Sequence, residues 1–411
     1  MSTRTTSGGT STGVRDKVSR NALFGAMFLM ATSAIGPGFI TQTTEFTAQL
    51  GAAFAFAIVI SVLVDVAIQL NVWRVIGVSG MRAQDLGNRV VPGAGYLLAG
   101  LVVLGGLVFN VGNVAGTGLG TDAMFGLDPR VGGTLSALLA IGIFLSRRVG
   151  LAMDRVVVVL GFLMLALTLY VAFVSGPPVG DALRNAAVPD TVDFLVITTL
   201  IGGTVGGYIT YSGAHRIVDA GITGPEHVRE ISRGSVTGVL VTGLMRVLLF
   251  LAVLGVVAGG ASIAGAENPP AAAFSDAAGD IGLRLFGLIL WAAAVTSVIG
   301  ASYTSVSFVS GFSPALEKRR NLLTVLFIVV TGAAFVVFGE APVSLLIFAG
   351  AFNGLILPVG VGVLLWVALR RRDLLHGYRY PLWLAGLGVV AWLVTLYLGY
   401  QSLGSLGDIW G

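Results

Sequence analysis

Cysteine is absent from these 411 residues. That excludes a disulfide framework, a thiolate metal site and cysteine redox chemistry. Charge is scarce: Asp, Glu, Lys and Arg make up 11% of the chain against 55% apolar residues. The length would suit two soluble domains, but this balance argues against them. Histidine occurs three times, at His215, His227 and His376, too dispersed for a zinc cluster. No nucleophile–base constellation and no Gly-x-x-x-x-Gly-Lys phosphate loop is present. Neither an enzyme, nor an ATP-driven pump, nor a cofactor is expected. The excess of 24 Lys and Arg over 20 Asp and Glu, a net charge of +4, sits in short loops between apolar runs. Orientation in a bilayer accounts for it; nucleic-acid binding does not.

What is present is apolar sequence. Runs of about 18 residues or more recur from end to end, each long enough to cross a bilayer. Residues 1–20, rich in Ser, Thr and Gly, read as a disordered cytoplasmic tail without a signal-peptide cleavage pattern. Residues 21–404 read as one all-α polytopic membrane domain. Eleven spans are expected, at roughly 22–48, 52–73, 92–119, 132–146, 155–174, 194–219, 236–259, 282–310, 321–338, 342–369 and 382–402. Loops after even-numbered spans carry the basic residues, among them Arg82, Arg148, Arg233, Arg320 and Arg371. Loops after odd-numbered spans carry mostly acids, such as Asp122, Asp181 and Glu267. The positive-inside rule then puts the N-terminus in the cytoplasm and the C-terminus outside an inner (plasma) membrane.

Two of these spans are interrupted. In the first, Gly36-Pro37-Gly38 breaks the helix at mid-depth, because proline removes a donor and glycine relaxes the backbone. In the sixth, Gly202, Gly203, Gly206, Gly207 and Gly213 weaken the helix by about 1 kcal/mol each relative to alanine. Lipid tolerates unpaired backbone only where it faces protein or a cavity. Breaks five spans apart fall at matching positions of two halves, the sequence mark of a transporter site built on inverted repeats. The halves are expected at about 21–175 and 193–370, with an extra helix at about 382–402.

Motifs around the breaks add a likeness. Gly36-Pro37-Gly38-Phe39 is followed by Ala48-Gln49-Leu50-Gly51; Arg74-Val75-Ile76-Gly77-Val78-Ser79-Gly80 ends in Gln84-Asp85-Leu86; and Asn110-Val-Gly-Asn113-Val-Ala-Gly116 continues to Phe125-Gly126. With Gly203 to Tyr208 of span six, these resemble the natural-resistance-associated macrophage protein (NRAMP) family of proton-coupled divalent-metal transporters. The resemblance implies a leucine-transporter-type (LeuT-type) five-plus-five inverted-repeat fold with about 11 transmembrane helices, helices 1 and 6 broken. It also implies that the family's metal-binding residues fall on Gly36, Phe39 and Gly206, its Met-Pro-His histidine on Tyr208, and a second span-six histidine on Gly213. The family's span-three acids fall on Asn110 and Asn113. No carboxylate, thioether or imidazole is then left to replace a divalent ion's hydration shell.

The expected substrate site is therefore Gly36, Pro37, Gly38, Phe39, Thr43, Gly206, Gly207, Tyr208 and Tyr211, with Asn353 of span ten. Glycine in place of larger residues is expected to widen the cavity and bare the amides at two half-helix starts, which suit an anion. Expected coupling or gating residues are Glu45, Asp65, Asn110, Asn113 and His215. Glu45 either carries a proton, holds a substrate ammonium or faces the outer mouth in water. Asp65 has the same alternatives, with pairing to a base as a structural account. His215, Arg216 and Asp219 end span six either as a solvated helix end or as an inner gate. Asn110 and Asn113, on one helical face, either serve coupling or join helices by hydrogen bonds.

The leading expectation is a secondary transporter of a small organic carboxylate or amino-acid-like solute with ion coupling. Oxoproline is a candidate, since some bacterial members of the wider family are associated with its metabolism. The alternative is a divalent metal cation (Mg or Mn) transporter, possibly proton-coupled, that admits a hydrated ion. The expected partners are that small molecule or ion and the lipid bilayer, with a monomer plausible. A non-transporting membrane sensor is disfavoured, because the tails are short.

Overall fold

The computed structural model describes residues 11–146, 149–260, 269–338 and 343–410. Every regular element among them is a helix. In chain order these are α1 (Ser11–Ser33), α2 (Pro37–Leu50), α3 (Phe54–Ser79), α4 (Ala83–Val90), α5 (Ala94–Phe125), α6 (Pro129–Leu145), α7 (Val149–Val174) and α8 (Val179–Ala187). There follow α9 (Phe194–Thr204), α10 (Ile209–Asp219), α11 (Val228–Ala258), α12 (Pro269–Ser310), α13 (Pro314–Lys318), α14 (Arg320–Phe338), α15 (Val343–Arg370) and α16 (Leu382–Trp410).

Local chemistry sets many of the ends. Asp128 caps α6 by accepting from the amides of Arg130 and Val131, with Pro129 at the first helical position. Asp193 caps α9 through the amide of Val196. Gly80 and Gly126 close α3 and α5 in the left-handed conformation that glycine adopts without strain.

Two expectations change. Helix α1 begins at Ser11, so residues 11–20 extend the first helix instead of belonging to a tail; residues 1–10 lie outside the described residues. Nine segments among the described residues, against eleven expected, are long and apolar enough to cross a membrane. The difference is one of continuity and length. Pro37–Ser79 runs as one apolar segment through the end of span one and all of span two, and Pro129–Leu145 is a shorter apolar helix.

Packing places the breaks in the middle. Helix α1 lies against α7, α10, α11 and α12, while α9 lies against α15 and α3. The α9–α15 approach depends on glycine, since a Cβ on Gly202 would stand 1.9 Å from the Gly350 carbonyl oxygen. Large apolar residues face outward on several helices, for example Phe173, Phe338 and Leu382. That is the surface a lipid-facing bundle presents.

Candidate substrate site at two helix breaks

The first break is Ala34-Ile35-Gly36. Ala34 and Ile35 donate back to the carbonyls of Met30 and Thr32, and α2 restarts with Pro37 at its first position. The second break runs from Val205 to Tyr208. There the Gly206 amide is shared between the carbonyls of Ile201 and Gly202, and Gly207 takes φ +59. Both expected interruptions are thus present. Of the span-six glycines, however, only Gly206 and Gly207 lie in the break, Gly202 and Gly203 falling in α9 and Gly213 in α10, while Pro37 and Gly38 open α2. Each break brings a helix C-terminus (α1, α9) and a helix N-terminus (α2, α10) to one level. Partial negative and partial positive charge therefore lie side by side.

The breaks touch. The Tyr208 hydroxyl donates to the Ser33 carbonyl at 3.4 Å, and the Asn113 amide lies beside that hydroxyl. Phe109 meets the Tyr208 ring edge-on at 5.9 Å. Ser297 of α12 donates to the Thr32 carbonyl at 3.0 Å, and Gly36 is pressed against Ser297 and Asn113. From α15, Asn353 donates to the Ala349 carbonyl at 2.7 Å. Its Oδ1 would lie only 1.7 Å from a Cβ on Gly207 and 2.3 Å from one on Gly105. Gln42 packs against Gly203 and Gly350.

The expected widening of the cavity is therefore corrected. The volume released by glycine at the second break is occupied by Asn353, brought in by close α9–α15 packing. Three buried polar atoms around the breaks, Ser33 Oγ, Thr43 Oγ1 and Asn353 Oδ1, have no hydrogen-bond partner among the described residues. All are neutral, both donors and acceptors. Phe39 is buried in the first turn of α2. Tyr211 points elsewhere, packing on Phe308 and His215 with its hydroxyl against Gly360 of α15.

The expected coupling residues separate. Glu45 is half-buried two turns beyond the break and accepts from Gln49 at 2.9 Å, which fits the mouth-facing alternative. Asn110 donates to Thr331 of α14 at 2.8 Å and to Ser302 of α12 at 3.3 Å, a helix-joining role. Asp65 pairs with Arg246 of α11 at 2.8 Å in a fully buried contact. Span seven's arginine was missed, although a lone charge inside an apolar run is a signal in itself.

His215 and Arg216 are buried, and the Asp219 side chain is only 13% exposed, against the solvated-end alternative. His215 Nε2 accepts from the Ala83 amide at 3.2 Å, while Nδ1 meets Ser307 Oγ at 2.7 Å. Accepting from an amide leaves Nε2 without a proton, so this imidazole is neutral. Arg216 grips Asp154 of α7 at 2.6 Å. Asp219 accepts from Arg82 at 2.7 Å, from Arg320 at 2.6 Å and from the Tyr303 hydroxyl. Arg82 also forks onto Glu317 at 2.9 and 3.0 Å. That guanidinium holds the Glu317 carboxyl down at about 2. The cluster ties the end of α10 to α12, α13 and α14. The sequence places its members in separate spans and loops, so their convergence was not legible.

A helical bundle with two facing breaks, each lined by buried polar groups, defines a membrane transporter of the leucine-transporter type. The aligned solved structures share that fold. A manganese transporter of Eremococcus coleocola, in a mutant form, is 19% identical over 98% of this chain and 90% of its own, with a TM-score of 0.74. MhsT with L-phenylalanine is 16% identical over 91% of this chain and 97% of its own, with a TM-score of 0.65. Residues 27–405 match the family model described as natural resistance-associated macrophage protein-like. This chain belongs to that family. An uncharacterized membrane protein of Bacillus subtilis, YcsG, is 51% identical over 93% of this chain and 94% of its own.

Proposed function

We propose that this chain is a secondary active transporter that works by alternating access, with its N-terminus cytoplasmic and its C-terminus outside the plasma membrane. The observation that carries this is the pair of contacting breaks, joined by the Tyr208–Ser33 contact. Half-helix ends there hold a substrate while the surrounding helices rock. Ion coupling accords with the family.

For the substrate, the fold shared with a manganese transporter favours a divalent cation. The chain's own donors then decide the form in which it binds. Among the described residues no three His, Asp or Glu side chains stand together, and the unpaired atoms at the breaks are neutral. Such a site holds a cation through its water shell, against Asn353 Oδ1 and the carbonyl ends of α1 and α9. Magnesium, which gives up water reluctantly, suits it best. Glu45 at the mouth supplies local negative charge. A second reading is a small carboxylate-bearing solute. It is favoured by the unpaired hydroxyls of Ser33 and Thr43 and the helix N-termini at Pro37 and Ile209.

Calorimetry on the purified protein separates the two. Magnesium, manganese and calcium are titrated beside a panel of carboxylates that includes oxoproline and amino acids. Saturable magnesium binding, weakened about fivefold or more in Asn353→Ala, supports the cation. Carboxylate binding with no metal response overturns it in favour of the second reading.

A further inference from the structure

We infer that Asp65 and Arg246 form a proton-binding site that couples the two broken spans. The inference rests on the transporter reading above and adds to it a site remote from the breaks.

Location comes first. Helix α3, which carries Asp65, packs against both halves of span six, α9 and α10. Helix α11, which carries Arg246, packs against both halves of span one, α1 and α2. The Asp65–Arg246 contact thus links the support of one broken span to the support of the other. A change in that contact reaches both breaks at once.

The contact is also incomplete. A guanidinium and a carboxylate pair most strongly as two parallel forks. Here a single nitrogen of Arg246 reaches Asp65 Oδ2 at 2.8 Å, and the other terminal nitrogen turns to Ser61 Oγ at 3.3 Å. Asp65 Oδ1 and Arg246 Nε are left without partners. One helical turn along α3, Gln69 lies beside the carboxylate, and its Oε1 is also unpaired. Two unpaired acceptors, Asp65 Oδ1 and Gln69 Oε1, thus lie one turn apart on a buried stretch of α3. Each such orphan costs roughly 1–3 kcal/mol.

A proton from water gives both atoms a partner. It forms an O–H bond at Asp65 Oδ1, that O–H donates to Gln69 Oε1, and the net charge of the site rises from zero to one. Arg246 is then a buried cation without a counter-charge, which drives α3 and α11 to a new packing. A sodium ion fits less well, because the guanidinium already holds one carboxylate oxygen and repels a second cation. Among the described residues, Arg246 is the one charge that acts on Asp65, and Asp65 the one that acts on Arg246. Charged groups on the helices packed around them have partners of their own: Glu45 has Gln49, Asp154 has Arg216, and Asp219 has Arg82.

Infrared difference spectroscopy on the purified protein in lipid, without substrate, tests the inference. A protonated carboxyl is expected to appear as the medium is taken from about pH 9 to about pH 5, a range spanning the shifts seen for buried acids. The Asp65→Asn variant loses that band and Glu45→Gln keeps it. Because Asp65→Asn leaves Arg246 alone and can fail to fold, the uncharged pair Asp65→Asn with Arg246→Gln is measured alongside; it loses the band too. A band that persists in these variants, a wild-type spectrum without one, or a midpoint that moves when sodium replaces choline at constant ionic strength overturns the inference. No substrate enters the measurement, so its outcome is independent of the calorimetry. Loss of the proton site and loss of the transport reading are told apart.

Discussion

Gly207 shows how tightly the site is built at the level of one residue. Its φ of +59 is left-handed, which costs a side-chain-bearing residue about 1–2 kcal/mol. A Cβ there would also collide with Asn353 Oδ1. Gly207→Ala is therefore expected to lower thermal stability by about 1–3 kcal/mol and to abolish magnesium binding. Adding Asn353→Ala relieves the collision, so the double variant regains part of the stability and none of the binding. Thermal unfolding and calorimetry on the three proteins check this, the partial rescue being a coupling between neighbours. Asn353 was legible because a polar residue in an apolar run carries its own signal, and the glycines because their clustering weakens a helix. Their mutual fit was not, since Asn353 lies far along the chain and fills space that glycine alone suggested was open. Arg246 was equally visible in span seven, yet its meaning needed Asp65 beside it.

Among the elements, α10 has the most to hold it still. Its last turn is bound through Arg216 to α7, and through Asp219 to Arg82 and Arg320. If the loops that carry Arg82 and Glu317 face the cytoplasm, as their charge implies, this cluster closes the inner side and must part for release. Its pH dependence has a definite sign. Glu317 is held at about 2 against an ordinary value near 4.5, chiefly by the hydrogen bonds from Arg82. A depressed carboxylate contributes its stabilisation in full above about 4.5 and loses it only as the pH falls through about 2. The Glu317 contribution to the closed arrangement is thus expected to be constant between about pH 5 and 8, whereas Glu317→Gln loosens it at every pH in that range. Hydrogen exchange of 214–221, corrected for intrinsic rates, reads the difference. Exchange in Glu317→Gln as slow as in wild type at every pH contradicts this account.

Over the whole molecule, hydropathy and loop charge were enough to read a polytopic helical bundle. The paired breaks indicated its repeats. Continuity between spans was harder to read: Gly51–Ala53 turns as a short 3-10 helix and leaves apolar sequence on both sides, so length alone joins two spans into one. Membrane orientation rests on the loops, and the lack of cysteine makes it directly measurable. Single cysteines at Leu127, exposed between α5 and α6, and at Asp373, exposed after α15, lie in loops of opposite expected side. With the N-terminus inside, Leu127→Cys reacts with a membrane-impermeant maleimide in intact cells, and Asp373→Cys reacts only after permeabilisation. The reverse pattern would turn the bundle over. The Asp219 cluster would then close the outer face, and Glu45 would guard the cytoplasmic one.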